Sequence, residues 1–200
     1  MNLSEKGIQS IIRWETGGES YYDPNPEWPG GESGITIGVG WDLGHTHAGE
    51  TTRAWKGRIN DAALALLVSV STHKGAAAQE RLPHVRHISI SWAAALEVFR
   101  EVTLPTWYLR TLRIYPQVES LPGDCAAALV SLVFNRGASL TGERRAEMVR
   151  IQELLKAGDH AEIPAQLRSM TRLWPTIKGL RRRREEEADL FAGGLVPAGD

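Results

Sequence analysis

Residues 34–44 read Gly34-Ile35-Thr36-Ile37-Gly38-Val39-Gly40-Trp41-Asp42-Leu43-Gly44 (GITIGVGWDLG). Apolar Ile35, Ile37, Val39 and Trp41 alternate with Thr36, Gly38 and Gly40, the period-two pattern of a strand with one buried face. Two glycines two residues apart serve a strand poorly, because they pack nothing and cost backbone entropy. They mark a sharp reversal or a close backbone approach. A reversal at Gly38-Val39-Gly40 sets Asp42 beside Thr36, whereas an extended chain holds them about 20 Å apart at roughly 3.3 Å per residue. A hydroxyl and a carboxylate on the polar face of a glycine-rich hairpin make half of a site.

The segment upstream supplies a partner. Ser4 is placed to cap a helix with Glu5 in its first turn, and Ile8, Ile11 and Ile12 follow at helical spacing until Gly17-Gly18 ends it. Glu15 continues the apolar face seven residues after Ile8, where a core-facing helix carries an aliphatic. It lies in the last turn, where the helix dipole and partial burial both disfavour an anion, which suits a general acid. Residues 19–33 (ESYYDPNPEWPGGES) read as a hairpin arm with a long irregular tip. Asp23 stands before Pro24, the place of a turn-initiating aspartate.

The rest of the chain reads as helical. Asn60-Asp61 caps one helix, Pro83 and the His84–His87 stretch interrupt, and Ser91 caps another that Pro105 divides from 107–115. Asp124 to Arg136 (DCAAALVSLVFNR) is apolar nearly all round and reads as a central buried helix, with Gly137 at its C-terminal end. Amphipathic helices follow, and the last is expected from about Pro175 to Phe191. Its run Arg181–Arg184 and Glu185–Glu187 reads as a solvated face with pairs such as Arg181–Glu185. The organisation expected is one domain over 1–192, with a helix and hairpin part at 1–50, a helical lobe at 51–192 and a loose tail at 193–200.

At 200 residues with 42% hydrophobic and 24% charged side chains, the chain has ordinary globular proportions. A formal net charge of -1 gives no overall pull toward nucleic acid or membrane, and neither partner is expected. The lone Cys125 sits in an aliphatic run and reads as a small buried hydrophobe. His45-Thr46-His47 lacks further ligands at metal-binding spacing, so no metal or other cofactor is expected. The N-terminus MNLSEKGIQS lacks the apolar core of a signal peptide, and no stretch reaches membrane-spanning length.

Three segments together resemble the phage-type lysozymes, and more specifically the pesticin-like branch of these muramidases. They are Glu15 followed by GITIGVGWDLG, then ALVSLVFNRG (128–137), then RLWPTIKGLRRRREEEADLF (172–191). The resemblance implies an α+β, lysozyme-like fold: a small N-terminal β-hairpin region beside a larger all-helical lobe, with a cleft between them. It implies cleavage of the β-1,4 bond between N-acetylmuramic acid and N-acetylglucosamine in peptidoglycan. Glu15 matches the general acid and Thr36 the family's hairpin threonine. The second carboxylate matches Asp42 in the pesticin-like pattern and Asp23 in many phage lysozymes; the turn role of Asp23 favours Asp42. Asn135 matches a polar position lining the sugar cleft, and one of Arg181–Arg183, with Arg182 as the candidate, corresponds to an arginine that contacts the catalytic Glu.

The residue types suit that chemistry, because glycoside hydrolysis needs a protonated acid on the leaving oxygen and an ionised carboxylate near the anomeric carbon. Thr36 and Asp42 holding a water on the opposite ring face implies inversion. The partners expected are glycan strands and an immunity or inhibitor protein, with the enzyme monomeric. It would be made in the cytoplasm and act at the wall after holin-type release or dedicated secretion, as an endolysin, effector or bacteriocin. Competing readings are a lytic transglycosylase, a non-catalytic glycan-binding or structural module, and a helical nucleic-acid binder using Lys178 and Arg181–Arg184.

Overall fold

The Ser4 hydroxyl accepts the Gly7 amide at 3.0 Å and opens helix α1 (Glu5–Thr16), as the capping pattern predicts. The computed structural model describes residues 1–196. Two compact units divide the chain: Glu15–Leu104, and Met1–Trp14 together with the chain from Pro105.

The unit Glu15–Leu104 holds a hairpin of β1 (Thr36–Ile37) and β2 (Trp41–Asp42), with Thr36 opposite Asp42 and Ile37 opposite Trp41. The reversal falls at Gly38-Val39-Gly40, where Gly38 and Gly40 take φ of 58° and 68°, left-handed values that a side chain would strain. Ile35, Ile37, Val39 and Trp41 are buried. Trp41 meets the buried Trp55 ring edge-on at 6.2 Å. Gly38 lies so close to Trp55 that a Cβ there would stand 2.8 Å from its ring.

Helices α2 (Ala48–Trp55), α3 (Asp61–Ser69), α4 (Ala76–Val85) and α5 (Trp92–Val98) complete this unit. Asn60 caps α3 through the Ala63 amide at 2.8 Å and Ser91 caps α5 through the Ala94 amide at 3.2 Å. Pro83 does not interrupt: α4 continues through it to Val85, at the cost of the ladder bond that its missing N–H would make to the Gln79 carbonyl. A π-helical turn, Phe99–Thr103, precedes Pro105, which sits in the first turn of α6 (Leu104–Ile114). Proline is tolerated at that position because early helix N–H groups have no intrahelical acceptor.

The α+β class implied by the resemblance is overturned. The structure is 68% helix and 4% strand, with a single two-stranded antiparallel sheet among the described residues. The alternating stretch supports two ladder pairs before Gly38-Val39-Gly40 and the Asp42 turn end it. The expected arm at 19–33 contributes one isolated bridge, Glu27 with Thr36, because its prolines cannot donate to a ladder. The fold is therefore predominantly α-helical.

In the other unit, α7 (Gly123–Arg136) is buried from Cys125 to Val133. Each of its Leu and Val side chains contributes roughly 1.5–3 kcal/mol of hydrophobic stabilisation. Gly7 of α1 sits against Ala127, where a Cβ would stand 2.2 Å from the alanine methyl. Helices α8 (Ala146–Ala157), α9 (Ile163–Ser169) and α10 (Lys178–Leu195) follow. No helix among the described residues is long and apolar enough to cross a membrane.

The charge run on α10 is not wholly solvated, which corrects the sequence expectation. Arg183, Arg184 and Glu187 are buried, and Glu187 Oε1 accepts the Ser131 hydroxyl of α7 at 2.6 Å and Arg184 Nη2 at 2.7 Å. Arg183 Nη2 donates to the Ser131 hydroxyl at 3.2 Å. A polar Ser131 within an apolar helix is the reason: it gives the acid a partner in the core. The exposed pair is Arg182–Glu186 at 2.8 Å. α10 runs past Gly193 to Leu195; the last residues of the expected tail, 197–200, lie outside the described residues.

Candidate functional site

Glu15 stands half-buried in the last turn of α1. Behind it Gly17 and Gly18 adopt φ of 76° and 93°, and the Thr16 hydroxyl accepts the Gly18 amide at 3.0 Å, turning the chain sharply. A 3-10 turn, Glu19–Tyr21, leads into a segment pinned along its length. The Tyr22 ring packs on Trp92 at 5.1 Å and its hydroxyl donates to the Ile90 carbonyl at 3.1 Å. The Ile90 amide donates to the Pro24 carbonyl at 2.8 Å, and Asn25 Nδ2 to the Ile88 carbonyl at 2.9 Å. Burial, reinforced by Asp23, pushes the Tyr22 phenol up to about 12, so it stays neutral and keeps its hydrogen bond to the Ile90 carbonyl.

The chain then runs beside β1. Glu27 and Thr36 exchange both backbone hydrogen bonds, at 3.0 and 2.7 Å. Directly opposed residues of an antiparallel pair send their side chains to the same face. The result is a pocket of about 150 Å³ whose lining includes Glu15, Tyr21, Tyr22, Asp23, Glu27 and Thr36. Glu15, Asp23 and Thr36 thus line one pocket.

Asp42 faces Thr36 across the hairpin but does not line that pocket. Its carboxylate leans along the strand: Oδ1 accepts the Gly44 amide at 2.7 Å, and both oxygens receive the Gly34 amide, at 3.1 and 3.3 Å. His45 Nε2 lies 3.8 Å from Oδ2, and Lys74 Nζ lies 3.0 Å from His45 Nδ1. Asp42 thereby ties the two outer glycines of the decisive stretch together. A Cβ on Gly34 would stand 2.2 Å from the Gly44 nitrogen, so both positions demand glycine for close approach.

Asp23 also has a turn role, since its Oδ1 accepts the Asn25 amide at 2.9 Å. Glu27 is exposed, and its carboxylate makes no hydrogen bond or ion pair among the described residues. Asn135 and Arg182 belong to the other unit. Asn135 is exposed and lines a separate pocket, and Arg182 is held by Glu186. Sequence reasoning missed Glu27, Tyr21 and Tyr22. The signal for Glu27 was its neighbourhood, Pro26 and Trp28-Pro29, which hides a one-residue strand pairing from any periodicity test.

Cys125 is fully buried, donates to the Phe191 carbonyl at 3.2 Å, and has its thiol pushed up to about 11 by burial. A thiol so placed is no nucleophile at neutral pH.

No protein-family model matches the chain. No curated protein matches it either.

The pocket offers three carboxyl groups, two threonine hydroxyls and two phenols around one concavity. That set can donate a proton to one atom of a ligand, accept a proton from a water, and pack aromatic faces against a sugar ring.

Proposed function

We propose that this chain is a peptidoglycan hydrolase of the muramidase type, cutting the β-1,4 bond between N-acetylmuramic acid and N-acetylglucosamine. The observation that carries the reading is the convergence of Glu15, Asp23, Glu27 and Thr36 on one pocket. The resemblance of the Glu15, GITIGVGWDLG, FNRG and C-terminal segments to phage-type lysozymes adds to it.

In this reading Glu15 gives its proton to the glycosidic oxygen as the bond to the anomeric carbon breaks. Water held by Thr36 and a pocket carboxylate adds to that carbon, and the carboxylate takes the water's proton. The products are a new reducing end and a free hydroxyl. Because the oxygens of Asp42 are committed to the Gly34 and Gly44 amides, the reading gives the water-holding role to Asp23 or Glu27. A water delivered opposite Glu15 yields inversion. Such an enzyme acts at the bacterial wall and lyses the cell.

The test is release of reducing ends from purified peptidoglycan by wild type and Glu15→Gln. Loss of about 10²–10⁴-fold in Glu15→Gln is expected for removal of a general acid. Undiminished activity in that variant sinks the reading, and 1,6-anhydro ends instead of reducing ends make the enzyme a lytic transglycosylase.

A further inference from the structure

One concavity in the unit that contains α7 is strongly basic. It has a volume of about 700 Å³ and its walls carry Asn135, Arg136, Thr141, Arg144, Arg145 and Trp174. Glu143 is the single acid among these lining residues. None of the three guanidinium groups has a carboxylate partner among the described residues. Arg136 stacks on the Trp174 ring at 4.9 Å and donates to the Arg144 carbonyl. Arg144 donates to the Leu173 carbonyl at 3.2 Å, and Arg145 points a nitrogen at the Met148 sulfur at 3.3 Å.

Nearby charges do not cancel this excess. Glu147 is engaged by Arg172 at 2.7 Å, and Glu187 by Arg184. Burial, and then the like charges of Arg145 and Arg184, lower the Arg136 guanidinium to about 10, against a smaller opposing pull from Glu147. Three guanidinium groups therefore share a pocket whose lining carries one carboxylate, Glu143.

We propose that this pocket binds a phosphomonoester on an organic body, at a site separate from the one that contains Glu15. Three planar guanidinium forks with only one acid beside them match a group of about two negative charges with three acceptor oxygens. A monocarboxylate carries one charge and leaves a guanidinium uncompensated. The cavity is much larger than a phosphate, and Trp174 with Leu180 gives an apolar wall for the body of the ligand, while Asn135 and Thr141 offer neutral hydrogen-bonding groups. This inference does not depend on the muramidase reading.

The test is titration calorimetry of the full chain with inorganic phosphate, glucose 6-phosphate and glutarate at fixed ionic strength. Saturable one-to-one binding of both phosphates is expected, tighter for glucose 6-phosphate, with glutarate weaker than either. The double variant Arg144→Gln/Arg145→Gln should weaken phosphate binding by about tenfold or more, the usual effect of losing charge-assisted hydrogen bonds. Arg150→Gln, an exposed arginine paired with Glu153, should bind as wild type. Both variants alter exposed or half-exposed side chains, and a circular-dichroism melt verifies that they fold. Absence of saturable phosphate binding, equal binding by the double variant, equal weakening in Arg150→Gln, or glutarate binding tighter than phosphate overturns the proposal. Peptidoglycan cleavage is measured separately, so failure here leaves the muramidase reading standing, and failure there leaves this one.

Discussion

The carboxylate of Asp42 and the amide of Gly34 meet at 3.1 Å, eight residues apart, across the base of the loop that enters the hairpin. Asp42 therefore acts on the backbone before it acts on any ligand. Asp42→Ala removes the acceptor of two amides and is expected to destabilise the protein by about 1–3 kcal/mol. Thermal and urea melts check this. A variant that melts like wild type but has lost hydrolysis would instead make Asp42 a catalytic group.

Asp23 and Glu27 are exposed, so Asp23→Asn and Glu27→Gln should each change stability by no more than about 0.5 kcal/mol. Their effects on hydrolysis should differ. One Asp23 oxygen is committed to the Asn25 amide, whereas Glu27 lies directly across from Thr36 with both oxygens available. Glu27→Gln is expected to lower kcat more than Asp23→Asn, measured as reducing ends released at saturating peptidoglycan. The reverse order would return the water-holding role to Asp23.

Glu187 serves Ser131, Arg183 and Arg184 in the core. Glu187→Ala leaves buried positive charge uncompensated and should cost about 3–5 kcal/mol. Ser131→Ala, which removes one neutral donor to a charged acceptor, should cost about 1.5–3 kcal/mol. Denaturant midpoints of the two single variants and the double variant give the coupling between them.

The Cys125 thiol is raised from 9.0 to about 11, chiefly by burial. A raised acid favours the folded state while it stays protonated. Its contribution is fully present below about pH 9 and is lost as the pH climbs through 11. Melts across pH 8–11 should show a fall in stability that Cys125→Ala lacks. Labelling by a thiol reagent at pH 8 should proceed at the rate of unfolding.

Much of this architecture can be read from local chemistry. Ser4, Asn60 and Ser91 all cap the helices their spacing indicates, and the aliphatic block of α7 is central because nothing else could cover it. Gly38 and Gly40 announce the reversal, and Glu15 and Thr36, singled out by their placement, line one pocket. Three features stay hidden because their causes are distant in sequence. Ser131 and Glu187 are 56 residues apart, so a run that looks solvated on its own is core once α7 and α10 meet. Glu27 finds Thr36 through a single bridge between prolines, too short to leave a period. Asp42 reads as a free carboxylate because the amides that occupy it belong to glycines, which carry no side-chain signal.

The loop between Glu27 and Gly34 is closed at both feet. Glu27 is laddered to Thr36, Gly34 is held by Asp42, and within the loop Trp28 Nε1 donates to the Ser33 carbonyl at 3.1 Å. A loop clipped at its base transmits little of what happens at its tip, and closure entropy rises only slowly with added length. Gly30 and Gly31 have open space around them, but their φ of 99° and 59° would strain a side chain, so the tip tolerates inserted residues better than replacement of either glycine. The molecule thus carries a tolerant insertion point beside a tightly packed backbone crossing, where a side chain on Gly34 would meet the Gly44 nitrogen.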